Sequence, residues 1–289
     1  MAQKYIRKAT VSSRFTSHRL PLRNSNCFFG TDTNNNEQAQ RKVGYLKKEI
    51  NRKIGKAIHR FGLIERGDSI MVAVSGGADS LTMLYFLHQW KKKAPIDFEI
   101  MPVFMEMGYN GKRISRVLQG YFQSLELPFY MEETDYALYA HGSANRGKSP
   151  CFLCSWKRRK RLFQLTQILG CNKIAFGHNL DDVIETFFLN MFYSGEMSTM
   201  LPRQEMFNGL LTIVRPIVLV EKDKIKRLAN KLGLPICENL CPSASKSKRN
   251  KVRQILSNIY RQDKKIKGNV ARALFNPRPE YLPEKLPPP

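Results

Sequence analysis

Residues Ser69–Ser80 read S-I-M-V-A-V-S-G-G-A-D-S, and the passage from their first half to their second decides the fold. Ser69–Val74 is an apolar, β-branched run of strand length, as expected of a strand buried on both faces. Ser75, Gly76, Gly77, Ala78, Asp79 and Ser80 then carry the chain from the strand into a helix. The two glycines let the backbone turn sharply and come close to an anion. Ser75, Ser80 and the amides of a helix start can donate to phosphate oxygens. Asp79 would be repelled by bare phosphate, so its presence calls for Mg²⁺ or a ribose nearby. No G-x-x-x-x-G-K-[ST] occurs, which excludes the common NTPase loop.

Outward from this turn, strands and helices alternate. Strands are predicted at Phe98–Met105, Phe129–Glu132, Lys173–Phe176 and Leu210–Val214, the last closed by Arg215-Pro216. Helices are predicted at Ser80–Trp90, Ile114–Leu125, Cys151–Leu169 and Asp181–Tyr193. Such alternation implies an α/β fold, a doubly wound and mainly parallel sheet with helices on both faces. Upstream, Leu46, Ile50, Ile54, Ile58 and Phe61 recur at helical spacing among lysines and arginines, an amphipathic helix with a basic outer face. Downstream, Lys222–Leu232 and Lys248–Tyr260 read as basic helices, followed by a Pro-rich tail. The expected organisation is a basic arm at 1–40 ending in a polar linker, Thr31–Gln40, then a basic helix at 41–66. A nucleotide-binding domain at 67–220 and a helical extension at 221–289 complete it.

The charge narrows the partner. The 289 residues hold 48 Lys and Arg against 24 Asp and Glu, a net +24, which draws polyanions and speeds encounter with them. Nucleic acid is the expected partner. An anionic membrane surface is the second candidate for that charge; no apolar run approaches the ~20 residues that span a bilayer, and no membrane partner is expected. Met1–Gly30 is basic without an acidic residue and lacks the apolar core of a secretory signal. It reads as an RNA-touching arm in a cytoplasmic protein, with a composition that an organelle transit peptide would share. Six cysteines are too few for a disulfide scaffold of this size. Four fall into two close pairs, Cys151/Cys154 and Cys237/Cys241, which suggests metal binding in a reducing compartment.

Two stretches carry further chemistry. Cys151-Phe152-Leu153-Cys154 opens a helix that continues S-W-K-R-R-K-R. Thiolates one turn apart can reach the same metal ion or cluster face, and a helix start favours the thiolate. Gly177–Gly195 (GHNLDDVIETFFLNMFYSG) leaves a strand for a helix with Asp181, Asp182 and Glu185 at its start and His178 just before it. At the C-terminal edge of an α/β sheet such a group suggests metal–ATP or proton handling.

The S-G-G-A-D-S turn resembles the signature of the ATP-pyrophosphatase, or PP-loop, superfamily with its adenine nucleotide alpha hydrolase-like fold. The resemblance implies cleavage of ATP between its α- and β-phosphates, with Ser75, Gly76, Gly77, Asp79, Ser80, Gly177 and His178 around the nucleotide. Together with C-F-L-C-S-W-K-R-R, the long helix motif, Arg215-Pro216 and N-L-C-P, the chain resembles the tRNA 2-thiocytidine synthetase family from about Gly44 to Phe275. What that implies is adenylation of a tRNA cytidine at its C2 oxygen and replacement of that oxygen by sulfur. The cofactors implied are ATP, Mg²⁺ and a [4Fe–4S] cluster on Cys151, Cys154 and Cys241 with one iron open to sulfur. Asp181, Asp182 and Arg158 are the catalytic candidates, and Lys157–Arg161 are set against RNA. Sulfur would come from a cysteine desulfurase or sulfide, and a homodimer is compatible with the sequence. Ala78 stands where a lysine is common in the family, and Cys237 lies one residue farther from Cys241 than is usual. Three alternatives share parts of the pattern: a 2-thiouridine-forming thiolase, a lysidine-forming ligase, and an RNA-binding protein with a structural Cys₄ zinc.

Overall fold

A computed structural model describes residues 27–28, 37–108, 111–143, 145, 149–237, 241, 243, 247–263 and 265–282. Most of the basic arm lies outside them. Among them, no helix is long and apolar enough to cross a membrane. The chain divides into two compact units, one of residues 1–179 and 201–245 and a second of 180–200 and 246–289.

The first unit is built on a six-stranded sheet. In chain order its strands are β2 (Ser69–Val74), β3 (Glu99–Glu106), β4 (Tyr130–Glu133), β5 (Lys173–Phe176), β6 (Arg203–Met206) and β7 (Leu211–Val214). They lie in the order β4-β3-β2-β5-β7-β6, with every neighbour parallel except β6 and β7. The expected mainly parallel α/β sheet is present. From β2 the chain winds outward through β3 and β4, then returns to place β5 on the other flank of β2. Strand order therefore reverses between β2 and β5, and ligands of open α/β sheets bind at the carboxyl ends beside such a reversal.

Helices α1 (Glu37–Phe61), α2 (Ala78–Lys93), α3 (Gly111–Ser124), α4 (Tyr136–His141), α5 (Pro150–Ile168) and α7 (Lys222–Lys231) complete this unit. Ile50 and Ile54 of α1 are fully buried. Its Lys53 reaches Glu221 at 2.7 Å, while Lys224 of α7 bonds Glu49 at 2.5 Å and Glu221 at 2.7 Å. A core of Met71, Val103, Leu165, Ile174 and Ile213 seats α5 on the sheet. A two-residue antiparallel pairing joins β1 (Cys27–Phe28) to β8 (Ile236–Cys237).

The second unit consists of α6 (Leu180–Ser194), α8 (Lys248–Gln262) and α9 (Lys265–Leu274). Leu180 and Ile184 of α6 bury against Val252 and Leu256 of α8. Arg253 grips Glu185 with two bonds, at 2.7 and 2.8 Å, and Lys267 reaches Asp181 at 2.5 Å. These units divide the chain at other places than the expected boundary at 220/221, because α6 packs with helices made much later. Several elements also depart from the expectation. Helix α1 starts at Glu37, inside the stretch read as a linker, because E-Q-A-Q-R-K consists of helix formers however polar it is. Strands β1, β6 and β8 and helices α4 and α9 are not among the elements the sequence predicts.

Candidate nucleotide and thiol site

The turn after β2 is held open by its own residues. Gly76 has φ +81°, a left-handed conformation that favours glycine. The Ser75 amide donates to Ser80 Oγ at 3.1 Å, the two hydroxyls meet at 3.1 Å, and Ser80 Oγ donates to the Gly77 carbonyl at 3.1 Å. No side chain caps the start of α2 at Gly77, so the helix end can be satisfied by a ligand.

Strand β5 ends against this turn. An added Cβ on Gly177 would stand 3.0 Å from Ser80 N and Cα, so only glycine permits the approach. Next along, Asn179 is fully buried and donates to Asp79 Oδ1 at 3.0 Å, fixing the carboxylate. Arg215 is buried, and its Nε donates to His178 Nδ1 at 3.3 Å. A guanidinium can only donate, so the His178 ring proton in this arrangement sits on Nε2. Burial, assisted by Arg159, pulls the Arg215 guanidinium down to about 10.

A cavity of about 380 Å³ opens over the turn. Its wall includes Ser75, Gly77, Asp79 and Ser80 from the turn, Gly177 and His178 from the end of β5, and Cys154 and Arg158 from α5. Cys237 and Cys241 line it as well. Asp79 is the one carboxylate on that wall among the described residues. Gly76, named from the sequence, flanks it through a 2.9 Å bond from the Cys237 amide to the Gly76 carbonyl. Met105, Met107 and Leu162 supply apolar wall that sequence reading did not identify; their signal was only that of ordinary core residues. The buried roles of Asn179 and Arg215 were equally unread, although both stand inside quoted motifs.

The thiols divide by setting. Cys151 is exposed, Cys154 and Cys241 are half-buried, and Cys237 is buried with its thiol directed to the Pro235 carbonyl at 3.5 Å. Burial pushes the Cys154 thiol up, Arg158 opposes this, and Cys241 and Cys151 push it up further. Cys154 is thus the thiol that feels both of the others. Desolvation pulls the Arg158 guanidinium down while Cys154 acts the other way, although part of that side chain still reaches solvent. His141 accepts or donates at Ser243 Oγ over 2.6 Å, and the Ser243 carbonyl lies 3.9 Å from Cys151 Sγ. This ties the segment that carries Cys241 to α4 and α5. Among the described residues no three His, Cys, Asp or Glu side chains converge as ligands of a single ion. Tetrahedral zinc demands that convergence. A [4Fe–4S] cluster is held by thiolates, each on its own iron, and Cys151, Cys154 and Cys241 are thiols of the kind that could hold one.

The remaining candidates, Asp181 and Asp182, belong to the second unit. There Asp181 is paired with Lys267, and Asp182 is buried, its charge felt by Arg253. The acidic start of α6 thus has a packing role that the sequence reading had not assigned to it.

A family model for the PP-loop domain matches residues 46–259. A tRNA-cytidine(32) 2-sulfurtransferase of Geobacter sulfurreducens is 37% identical over 237 residues, spanning 81% of this chain and 92% of that protein. Another, from Syntrophotalea carbinolica, is 36% identical over 82% of this chain and 92% of its own length. Among solved structures, the U34-tRNA thiolase NcsA from Methanococcus maripaludis with its [4Fe-4S] cluster superposes with a TM-score of 0.68. That likeness covers 84% of this chain and 82% of the thiolase at 22% identity, and it concerns the fold.

Proposed function

Since this chain belongs to the PP-loop family, and within it to the tRNA-cytidine 2-sulfurtransferases, we propose that it exchanges the C2 oxygen of a tRNA cytidine for sulfur at the expense of ATP. The observation that carries the reading is that the phosphate turn and the thiols Cys154 and Cys241 share one cavity. Its relatives are named for cytidine 32, and we take that position as the target here.

The division of labour follows from the wall. The hydroxyls of Ser75 and Ser80 and the uncapped start of α2 take up the β- and γ-phosphates. Asp79, oriented by Asn179, would hold Mg²⁺, which would neutralise phosphate charge. The cytidine C2 oxygen attacks the α-phosphorus and pyrophosphate leaves, so the base becomes an adenylate. A hydrosulfide equivalent then adds at C2 and AMP departs with the former oxygen. His178 presents its Nε2 proton and Arg158 its positive charge to the negative charge that develops on phosphate oxygens in these steps. Cys151, Cys154 and Cys241 would hold the [4Fe–4S] cluster, which supplies an iron not bound by the protein where sulfur can be kept. On this reading the sulfur originates from a cysteine desulfurase or free sulfide, and the reaction takes place in the cytoplasm. A lysidine-forming ligase would have no use for the three thiols.

The test is mass spectrometry of tRNA nucleosides from a deletion strain, with and without the gene restored, beside product analysis of the purified enzyme. Loss and return of 2-thiocytidine with release of AMP and pyrophosphate is expected. Unchanged 2-thiocytidine in the deletion strain, or release of ADP, would refute the reading.

A further inference from the structure

Phe152 and Trp156 lie one helical turn apart on α5 and leave 60% and 51% of their surface exposed. Residues at i and i+4 share a helix face, so these two rings form a single patch. Paired exposed aromatics of this kind mark a binding surface rather than a solvated one. The surrounding charge says what binds. Helix α5 contains no acidic residue and carries Lys157–Arg161 in succession. The Lys160 ammonium stands 5.4 Å from the Trp156 ring. Beside α5, Lys157 stands 3.6 Å from the ring of Tyr139, which is itself 38% exposed. Aromatic faces set among cations suit a partner that offers flat rings joined by phosphates, and unpaired nucleotides are such a partner. A second copy of this chain, at +24, would be repelled from the same patch.

Cys154, Arg158 and Leu162, at i, i+4 and i+8 along the same helix, line the cavity. The aromatic patch occupies the opposite stripe. One helix of about 10 Å diameter therefore separates the reacting base from the patch, a step that an RNA loop spans with few nucleotides.

We infer that Phe152 and Trp156 are a stacking platform for unpaired bases of the tRNA loop that flank the target cytidine. This rests on the tRNA-modifying function proposed above. The platform selects looped over paired RNA, while the basic residues hold the backbone of either.

The two tryptophans make the test direct. Trp90 is bonded to Asn51 and is removed as Trp90→Phe, leaving Trp156 as the only tryptophan emitter. Titration with full-length tRNA should quench Trp156, whereas a fully paired RNA duplex of similar charge should bind without quenching it. In the otherwise unaltered chain, Phe152→Ala with Trp156→Ala should weaken tRNA binding roughly tenfold or more per ring. Duplex affinity and iron content should remain, and Trp156→Phe should restore binding. Equal quenching by duplex and tRNA, or undiminished tRNA affinity in the double variant, would overturn the platform. So would a double variant that binds tRNA normally and loses only thiolation fed by a cysteine desulfurase, since the patch would then serve a protein partner. If the double variant binds tRNA normally while the unaltered enzyme forms 2-thiocytidine, the platform falls and the function stands. If the unaltered enzyme neither binds tRNA nor forms 2-thiocytidine, both fall.

Discussion

Gly177 passes so close to the start of α2 that a single added carbon would press on the Ser80 amide. Backbone cannot swing aside as a flexible side chain does, so Gly177→Ala should cost about 1–3 kcal/mol in urea unfolding. ATP affinity measured by calorimetry should fall more steeply, because the displaced atoms belong to the phosphate turn. The thiols give a second expectation at this scale. Serine at Cys151, Cys154 or Cys241 should deplete iron in anaerobically purified protein and remove its charge-transfer absorbance. Cys237→Ser should retain both, since Cys237 is buried against Pro235 and anchors the turn through its backbone amide. Tightly bound zinc in the unaltered protein, or iron loss confined to Cys237→Ser, would reverse the assignment.

Among the elements, α1 is the clearest case of packing outweighing charge. Ile54→Ala removes a fully buried side chain and should destabilise the fold by about 2–5 kcal/mol, read from the denaturation midpoint. Glu221→Gln breaks the pairing with Lys53 and Lys224, yet those groups are partly exposed and the loss should stay below about 1 kcal/mol. Burial raises the Glu221 carboxyl, but bonds from Lys224 and Lys53 outweigh it and hold the group below its ordinary value. Its contribution is therefore complete above the unfolded carboxylate value near ~4.3 and lost as pH falls through the lower folded one. The parallel strands were legible because burial on both faces leaves uninterrupted apolar runs such as Ser69–Val74. Strand β6 was not, since R-Q-E-M has the composition of a loop and is a strand only through pairing with β7. Its available signal was Asn208-Gly209, which with Phe207 adopts the positive φ that a tight hairpin requires. At the site, glycines, cysteines and the loop aspartate could be named because their chemistry is local. The pairing of Asp181 with Lys267 could not, because 86 residues separate the partners.

For the whole molecule, the +24 charge predicts affinity that depends on salt. If about six or more phosphates are neutralised, tRNA binding should weaken roughly a thousandfold between about 50 and 200 mM salt, measured by filter binding or anisotropy. A flat response would assign the charge another purpose. The composition of the second unit bears on how the chain is made. Helix α6 leaves the ribosome well before α8 and α9, the helices that cover Leu180 and Ile184. During that interval its apolar face has no native partner, and nascent chains with such surface are prone to aggregate. A stop codon before Lys248 would make the interval permanent. The truncated product should enter the insoluble fraction or be held by chaperones, although every strand of its sheet has been synthesised. Synthesis of the last helices is thus the step after which this protein can be released safely into the cell.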